Sequence, residues 1–381
     1  MKILSLSCYI LGHITYQNIL EKTFEESIPE VEFYSLHLTD YYKQDLLGRF
    51  VHLLLRQRFP GSGKADYDFH RLRTEVANSF FARRCLEQAI KKYQPDVLHV
   101  HTQGIALLSA SLFQKIPSVI SIDCTTAPLA TTHPSPAHLT YQPILALEKQ
   151  CFENAAHVVA CSDWARKSVI EDYAISPKKV TTIPYGMPLE KFAIIQRPRN
   201  FTSNKTRLLF VGNDFTRKGG YDLLTVFLEN FVDTCELNIV TNASIDIPDI
   251  PSIRVHKGIR PMSPELFQLY QDADIFVMPT HEDVYGVVFI EAMASGLPCV
   301  GTTVMAVPEL IQNEVNGFAI SPKDQKSLSE VLHKLVNSAE LRLSMGLAGR
   351  KMAKQTFDAK INCRKLVSIF EECLKSENLE K

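Results

Sequence analysis

Residues 279–310 of the chain have the sequence PTHEDVYGVVFIEAMASGLPCVGTTVMAVPEL. Four apolar residues, 275–278, come before it and predict a buried strand. Within it, Gly286 separates a polar loop from residues 287–295, whose composition favours a helix. A Gly-Leu-Pro sequence closes this helix, and a second strand begins at Cys299. The pattern predicts a strand–loop–helix–strand unit of a parallel sheet, with the helix N-terminus at the edge where such sheets bind ligands.

The start of this helix has the properties of a phosphate site. Backbone N–H groups around Gly286 and Val287 have no partner within the helix, and the helix dipole favours an anion there. Glycine also lets the backbone approach a phosphate closely. Two carboxylates flank the position, Asp283 and Glu291, with Glu282 beside the first. The sequence therefore predicts that this unit holds a nucleotide diphosphate.

The segment 283–298, DVYGVVFIEAMASGLP, resembles the E-x7-E region of retaining glycosyltransferases with the two-domain GT-B fold. In that family the second Glu binds the ribose hydroxyls of the donor, which implies this role for Glu291. The first Glu lies near the donor sugar, and its position is taken here by Asp283, one methylene shorter. A plain helix with surface acids is the alternative interpretation, and the length of the joint pattern favours the nucleotide site.

Composition and charge fit an ordinary globular protein. The chain has 381 residues, is 45% apolar and carries a net charge of −1, which predicts two to three domains and gives no argument for nucleic acid. Its nine cysteines contain no metal-ligand spacing and predict free thiols in a reducing cytosol. No apolar run approaches the ~18 residues of a membrane helix. A cytoplasmic location is therefore expected.

The resemblance implies an α/β protein with two doubly wound, Rossmann-like domains that face each other across a cleft. Residues 1–195 are the expected acceptor-side domain, and residues 206–355 the expected nucleotide-sugar-binding domain. The polar segment 196–205 is the predicted linker. A final helix, 358–376, packs back on the first domain by resemblance.

A second phosphate loop is predicted directly after the strand 207–211. The sequence GNDFTRKGG at 212–220 places one glycine after the strand and two at the start of a helix, which suits a diphosphate. By resemblance Lys218 stands at the family's lysine, whereas Asn213 stands at the family's arginine and Arg217 replaces its charge. A basic surface turn is the alternative. The predicted donor-binding residues are Gly212, Asn213, Arg217, Lys218, Ile259, Arg260, Gly286, Val287 and Glu291, of which Ile259 and Arg260 match the family's position for the nucleotide base.

Polar residues near strand ends are the candidates in the first domain. The family's glycines after the first strand are reduced to Gly12, followed by His13, for which an ordinary loop role is equally open. His99 and His101 share one face of a strand, and which of them reaches the cleft is left open. Asp123 stands where many relatives have a His close to the transferred sugar. The acceptor candidates are Gly12, His13, His101 and Glu282, and the catalytic candidates are Asp123, Asp283 and Lys218.

The segment 41–92 is helical in composition and basic in patches. Helices of this kind can lie on an anionic membrane surface. Interspersed acids favour instead an ordinary amphipathic helix packed on the sheet, so a peripheral contact with the inner membrane surface is left open. The Gly/Pro/Ser loop at 59–66 lacks the spacing of a P-loop.

The resemblance implies retaining transfer of a sugar from a nucleotide-diphosphate sugar to a glycan, lipid or small-molecule acceptor, without a cofactor. The sequence Asp-Ala-Asp at 272–274 comes before its strand, so we predict no metal. Another GT-B enzyme, such as a sugar-nucleotide epimerase, is one alternative. A non-catalytic nucleotide-sugar-binding module is the other, and it rests on the departures from the family at Asp123, Asn213, Asp283 and Met305-Ala306.

Overall fold

The computed structural model describes residues 1–8, 11–42, 45–55, 57, 69–132, 138–192 and 205–380. The chain divides into an N-terminal unit, Met1–Gly186 with Ala359–Lys381, and a C-terminal unit, Met187–Asp358. The predicted linker, except its last residue, and the predicted loop at 59–66 lie outside the described residues. None of the described helices combines the length and the apolar character that crossing a membrane requires.

The N-terminal unit is built on a six-stranded parallel sheet with the order β2-β1-β3-β4-β5-β6. Strands β3 and β4 are buried along their whole length, as expected for the centre of a sheet covered on both faces. The order reverses between β1 and β3, so their carboxyl ends flank a ligand crevice. The strands are β1 Lys2–Ser7, β2 Glu32–His37, β3 Val97–His101, β4 Ser118–Ile122, β5 His157–Ala160 and β6 Val180–Thr182.

Helices cover both faces of this sheet. The core on one face includes Leu98 and Phe81, and the core on the other includes Val97, Phe24 and Phe370. Phe370 belongs to the last helix of the chain, which therefore completes the N-terminal unit. Numbered in chain order, the helices of this unit are α1 Leu11–Ser27, α2 Leu38–Tyr42, α3 Leu46–Leu55, α4 His70–Tyr93, α5 Ala110–Phe113, α6 Ala127–Thr132, α7 His138–Asn154, α8 Asp163–Glu171 and α15 Ala359–Glu380.

The C-terminal unit has a second six-stranded parallel sheet, with the order β12-β11-β10-β7-β8-β9. This is the dinucleotide-binding order, in which the chain reverses between β7 and β10. The strands are β7 Thr206–Val211, β8 Cys235–Val240, β9 Ile253–His256, β10 Ile275–Val277, β11 Cys299–Thr302 and β12 Gly317–Ile320. The helices are α9 Gly220–Asn230, α10 Pro264–Asp272, α11 Val287–Ala294, α12 Val307–Leu310, α13 Gln325–Asn337 and α14 Ala339–Thr356. The predicted doubly wound α/β fold is confirmed.

Serine side chains begin several of these helices. Ser162, Ser263 and Ser338 each accept a hydrogen bond from the amide three residues later, at 3.1–3.2 Å. Such N-caps satisfy one of the amides that a helix start leaves without a partner. They set where α8, α10 and α14 begin.

Three predictions about local structure were wrong. Gly12 and His13 lie in the first turn of α1 and not in a loop. The helical segment predicted at 41–92 is divided into three helices, α2, α3 and α4. Strand β12 was missed because its Asn-Gly start is typical of a turn. Gly317 is needed there because a Cβ atom would overlap the Cys299 carbonyl oxygen on the neighbouring strand.

Candidate active site

Two loops at the reversal point of the C-terminal sheet are in direct backbone contact. Gly219 has a φ of +74°, and a Cβ atom there would overlap the carbonyl oxygen of Pro279. His281 N donates to Arg217 O at 2.8 Å, which joins the same two loops a second time. Only glycine permits this approach. Gly219 therefore allows the loop after β7 to lie directly against the loop after β10.

This contact brings Lys218 and Asp283 together. Lys218 Nζ lies 2.5 Å from Asp283 Oδ2, and the two side chains are 16% and 11% exposed. Burial lowers the pKa of Lys218, and the Asp283 carboxylate opposes that shift. The predicted phosphate-binding lysine and the predicted sugar-side carboxylate are therefore one buried ion pair.

Two hydrogen bonds fix the Arg217 guanidinium. Its Nε donates to Asp214 Oδ2 at 3.0 Å, and its Nη1 donates to Glu282 O at 2.7 Å. The guanidinium thus fixes the path of the loop after β10, and the Glu282 side chain is exposed. That Arg217 replaces the family's arginine charge stays a prediction.

Helix α11 begins beside this ion pair. Gly286 is its N-cap with a φ of +73°, and it has no side chain to cap the first amides. A Cβ atom at Gly286 would lie 2.7 Å from Phe289 Cδ2 and 3.2 Å from Asp283 Oδ2, so a larger residue would crowd the site. Val287, the first helical residue, is half-buried. The positive end of the helix dipole and Lys218 thus lie together, an arrangement that favours an anion.

Glu291 lies inside the unit and not on its surface. It is 5% exposed, and Tyr270 Oη donates to its Oε2 at 2.7 Å. Burial raises the pKa of Glu291 to about 7, against the opposing effect of the Tyr270 hydrogen bond. Because Asp283 is also buried, the alternative of a plain helix with surface acids is wrong for these two residues.

Asn213 begins a series of hydrogen bonds that connects three loops at the carboxyl edge of the sheet. Its Oδ1 accepts from Asn242 N at 3.1 Å, and Asn242 Oδ1 accepts from Gly258 N at 2.8 Å. The loops after β7, β8 and β9 are therefore joined in series. Ile259 is half-buried and Arg260 exposed directly after Gly258.

A cavity of about 410 Å³ opens beside Asn213. Its size is within the range of small-ligand pockets. Gly212 begins the loop that borders it, and a Cβ atom at Gly212 would lie 3.2 Å from Lys218 Cγ. The lining residues are Asn213, Asp214, Phe215, Thr216, Tyr221, Ala243, Ser244 and Ile245.

The departure at Met305-Ala306 lies beside the same loop. Ala306 N donates to Val284 O at 3.3 Å, next to Asp283. Met305 has a φ of +45° and is half-buried, so a full side chain stands where the family has glycine. That these residues narrow the sugar pocket stays a prediction.

The Asp-Ala-Asp sequence is structural. Asp274 Oδ2 accepts from the backbone N of Arg207 at 2.7 Å and from its Nε at 3.4 Å, which ties the start of β10 to β7. Asp272 Oδ2 accepts from Gln268 at 3.0 Å within α10. Over the described ranges, no group of three or more His, Cys, Asp and Glu side chains is placed to hold a metal ion.

In the N-terminal unit, His13 lies between an acid and a thiol. Its Nε2 is 3.0 Å from Asp123 Oδ2, and its Nδ1 is 2.7 Å from Cys8 Sγ. Burial alone lowers the pKa of His13, but the hydrogen bonds with Asp123 and Cys8 raise it to about 10. These contacts favour the protonated form of His13, and the side chain of Asp123 is 22% exposed. The exposed Gly12 precedes His13 in the same helical turn.

The two strand histidines have different surroundings. His99 lies in the core, with Nδ1 2.9 Å from Ser5 Oγ and Nε2 2.8 Å from Ser121 Oγ, and burial lowers its pKa to about 4. His101 is equally buried, but its ring lies 4.6 Å from the ring of His13, centre to centre and tilted by 57°, and its Nε2 is 2.8 Å from Tyr185 Oη. Of the two, His101 belongs to the His13 cluster.

Several buried polar residues that position this site were missed from the sequence. Glu148 accepts from Thr126 N at 3.1 Å and from Thr126 Oγ1 at 2.7 Å, and it also accepts from Tyr173. It thereby fixes the loop that follows Asp123. Tyr185 and Tyr270 likewise hold His101 and Glu291. No spacing in the sequence distinguishes these residues from ordinary core positions.

The two doubly wound sheets are the architecture of the GT-B class of proteins. Two family models match the chain, Glycosyltransferase Family 4 over residues 32–191 and Glycosyl transferases group 1 over residues 256–352. Both halves of the chain thus match glycosyltransferase family models, which supports the predicted resemblance to GT-B glycosyltransferases. The retaining mechanism stays a prediction.

Relatives with assigned names are glycosyltransferases of several kinds. The capsular polysaccharide biosynthesis glycosyltransferase CapM of Staphylococcus aureus is 25% identical over 62% of this chain and 66% of its own length. The D-inositol 3-phosphate glycosyltransferase of Thermobifida fusca is 27% identical over 51% of this chain and 50% of its own. The chain thus matches less than two thirds of the length of either relative.

Solved structures share the fold over nearly the whole chain. The sucrose-phosphate synthase of Thermosynechococcus elongatus has a TM-score of 0.74 at 16% identity and covers 99% of this chain and 100% of its own. HepE of Anabaena, solved in complex with UDP, has a TM-score of 0.71 at 14% identity, with 98% and 100% covered. At such identities the likeness concerns the fold alone.

Proposed function

We propose that this protein is a retaining glycosyltransferase that moves a sugar from a nucleotide-diphosphate sugar to a glycan, lipid or small-molecule acceptor, without metal. The observation that carries the proposal is the buried pair of Lys218 and Asp283, 2.5 Å apart, at the start of α11. A cation and a helix N-terminus are suited to a diphosphate, and a carboxylate beside them is suited to the attached sugar.

The chemistry assigns a role to each member of the pair. During transfer, the bond between the anomeric carbon and the diphosphate oxygen breaks, a bond to an acceptor hydroxyl oxygen forms, and the hydroxyl proton passes to the leaving diphosphate. Lys218 and the first amides of α11 stabilise the negative charge that develops on the leaving diphosphate. The diphosphate competes with Asp283 for Lys218, which leaves the Asp283 carboxylate beside the sugar.

The nucleoside is assigned to the other end of the same crevice. Glu291 accepts hydrogen bonds from the ribose hydroxyls, while Tyr270 Oη donates to its Oε2 and fixes the carboxylate. The cavity beside Asn213 takes the remainder of the nucleoside. Ile259 and Arg260 follow Gly258, which hydrogen bonds through Asn242 connect to Asn213. The UDP and UDP-glucose complexes of HepE support a nucleoside diphosphate as the common ligand of the fold.

The acceptor side is assigned to the N-terminal unit. Asp123 is a carboxylate with a partly exposed side chain, held by an imidazolium at His13. It can accept a hydrogen bond from an acceptor hydroxyl, while His13 and His101 fix its position. Gly12 is exposed beside this group and leaves room for the acceptor. The Glu282 side chain is a further acceptor contact, assigned to the loop after β10.

A nucleotide-sugar-binding module without chemistry is the second candidate. One observation favours it: the position of the family's arginine is occupied by Asn213, whose side chain is used to connect loops. With Arg217 tied to Asp214, the diphosphate has one cation fewer than the family pattern implies.

The thiols support a cytoplasmic location. All nine cysteines are free, and eight of them are buried. Free buried thiols persist where the compartment is reducing.

A panel of nucleotide sugars separates the two candidate functions. Donors are ranked by the shift they cause in the melting temperature, since a bound ligand stabilises the folded state by mass action. Release of free nucleoside diphosphate is then measured for the best donor, without acceptor and with mixed glycan and lipid acceptors. Release that depends on the protein supports the transferase, and stabilisation without release under all conditions supports the binding module.

Chelation of divalent ions is expected to leave the activity unchanged. In this proposal Lys218 and the α11 N-terminus neutralise the negative charge of the diphosphate, the role that a metal ion would otherwise have. Transfer should therefore proceed at the same rate in excess EDTA, measured as released nucleoside diphosphate after dialysis. A loss of activity in EDTA that Mg²⁺ or Mn²⁺ restores would contradict the metal-free assignment.

A further inference from the structure

Helix α3 carries large apolar side chains on its solvent side. The exposed fractions are 75% for Leu46, 54% for Leu47, 63% for Phe50, 61% for Leu53 and 56% for Leu54. Their spacing places all five on one side of the helix. We call these five residues the α3 apolar face. Contiguous exposed apolar surface of this kind marks an interaction site.

The opposite side of α3 holds small and polar residues against α4. A Cβ atom at Gly48 would overlap the Phe81 ring, so the helix backbone itself packs there. His52 Nε2 is 2.7 Å from Asn78 Oδ1 in the same interface. An amphipathic helix usually packs its apolar side on the protein. Helix α3 instead packs its small and polar residues, and these contacts keep the α3 apolar face exposed to solvent.

A buried ion pair fixes the start of α3 in this orientation. Asp45 Oδ2 accepts from Arg84 Nε of α4 at 2.6 Å, and the Asp45 side chain is 6% exposed. Rotating the helix to bury its apolar face would break this pair and the His52 contact. The exposure of the apolar face is therefore a property of the folded chain.

The sequence of α3 and of the residues that follow it is basic. Residues 46–65 contain no Asp or Glu and four basic residues, Arg49, Arg56, Arg58 and Lys64. Of the interspersed acids on which the sequence analysis relied, Asp45 pairs with Arg84, Glu75 with Arg71 and Glu87 with Arg83. The other two, Asp66 and Asp68, lie outside the described residues. The expectation of an ordinary helix with its apolar side on the sheet is therefore wrong for α3.

We propose that the α3 apolar face inserts into the interfacial region of an anionic lipid bilayer, with the helix parallel to the membrane plane. Ten residues make a helix of about 15 Å, half of a ~30 Å hydrocarbon core. Leucine and phenylalanine enter the acyl boundary, and the exposed Arg49 contacts anionic headgroups. This surface goes beyond the transfer reaction and involves none of the residues assigned to it.

The composition of the face favours lipid over a protein partner. Protein interfaces are enriched in Tyr, Trp, Phe, Met and Arg, whereas leucine is under-represented among the residues that dominate their binding energy. The α3 apolar face consists of four leucines and one phenylalanine on a single helix flanked by basic charge. A fluid bilayer needs no complementary pocket.

Vesicle flotation of the full chain tests this proposal. Wild-type protein is expected to float with vesicles that contain anionic phospholipid, and weakly with purely zwitterionic vesicles. A double variant, Phe50→Asp with Leu53→Asp, should bind at least ~10-fold less, because two apolar insertions are lost and two negative charges added. A neutral variant, Phe50→Ser with Leu53→Ser, should also bind less. It separates the effect of losing two apolar side chains from the effect of adding two negative charges.

The matched control is a second pair of exposed leucines. Leu343 and Leu347 on α14 are 61% and 58% exposed, so Leu343→Asp with Leu347→Asp makes the same change of charge elsewhere. This control should float like wild type, and all variants should melt at the wild-type temperature. Equal losses in the α3 and α14 variants, or no flotation of wild type with anionic vesicles, would overturn the proposal. Concentration-dependent self-association that Phe50→Asp with Leu53→Asp abolishes, without vesicle binding, would assign the face to a second copy and overturn it as well.

Discussion

Replacing Lys218 with Ala is expected to slow sugar transfer by at least ~10²-fold, the scale for losing one contact to transition-state charge. Lys218 Nζ lies in a buried pair at the start of α11, where the leaving diphosphate is assigned. Removing the cation leaves the helix dipole as the main stabilising field. The measurement is kcat/KM for the best donor, together with the Kd of the free nucleoside diphosphate, which should rise.

The loss of a charge partner must be distinguished from the loss of catalysis. Lys218→Ala leaves the Asp283 carboxylate buried without its cation, which destabilises the folded state. Adding Asp283→Asn removes the second charge, so the double variant should regain melting temperature while transfer stays slow. Lys326→Ala, at a lysine whose side chain is 89% exposed, is the control and should behave as wild type. Unchanged kinetics in folded Lys218→Ala would refute the phosphate role.

Replacing Glu291 with Gln is expected to weaken nucleotide binding by roughly 1.5–3 kcal/mol, the scale of a hydrogen bond to a charged group. The amide keeps one oxygen that can accept from Tyr270 Oη, so the packing of α10 against α11 is retained. What it loses is the negative charge that the ribose hydroxyls favour. Affinity is measured by calorimetry for the nucleoside diphosphate above pH ~8, where the wild-type carboxylate is ionised.

A dideoxy nucleotide gives the decisive control for Glu291. A 2′,3′-dideoxy nucleotide should bind wild type about as poorly as the intact nucleotide binds Glu291→Gln. Combining the two changes should add little, because both remove the same contact. If the two losses are additive, Glu291 does not contact the ribose.

The same variant is expected to be more stable than wild type at high pH. Burial raises the pKa of Glu291 from 4.5 to about 7. Between these values the unfolded chain has released its proton and the folded chain has kept it, so the free energy of unfolding falls as pH rises. The Gln variant has no such proton, and its advantage over wild type should grow from about pH 5 to about pH 8. Glu75 shifts in the same direction but is present in both proteins and cancels in the difference.

Local sequence was sufficient for the elements around the nucleotide site. The strand predicted at 275–278 and the helix predicted at 287–295 match Ile275–Val277 and Val287–Ala294 within one residue. Parallel strands buried on both faces need continuous apolar runs, and glycines with positive φ begin and end helices, so both leave a clear pattern. Helical composition over 41–92 could not show that the segment divides, because that depends on packing against the sheet and α4.

The pairing of side chains that make up the site is not encoded in any local pattern. Lys218 meets Asp283 because the strand order places β7 beside β10, and Gly219 meets Pro279 for the same reason. The contact of His13 with Asp123 joins residues 110 positions apart, and the burial of Glu291 depends on Tyr270 from another helix. The sequence predicted which residue types end each strand. Which strand ends become neighbours, and which charges are thereby buried together, follows from the packing of all the elements of each sheet at once.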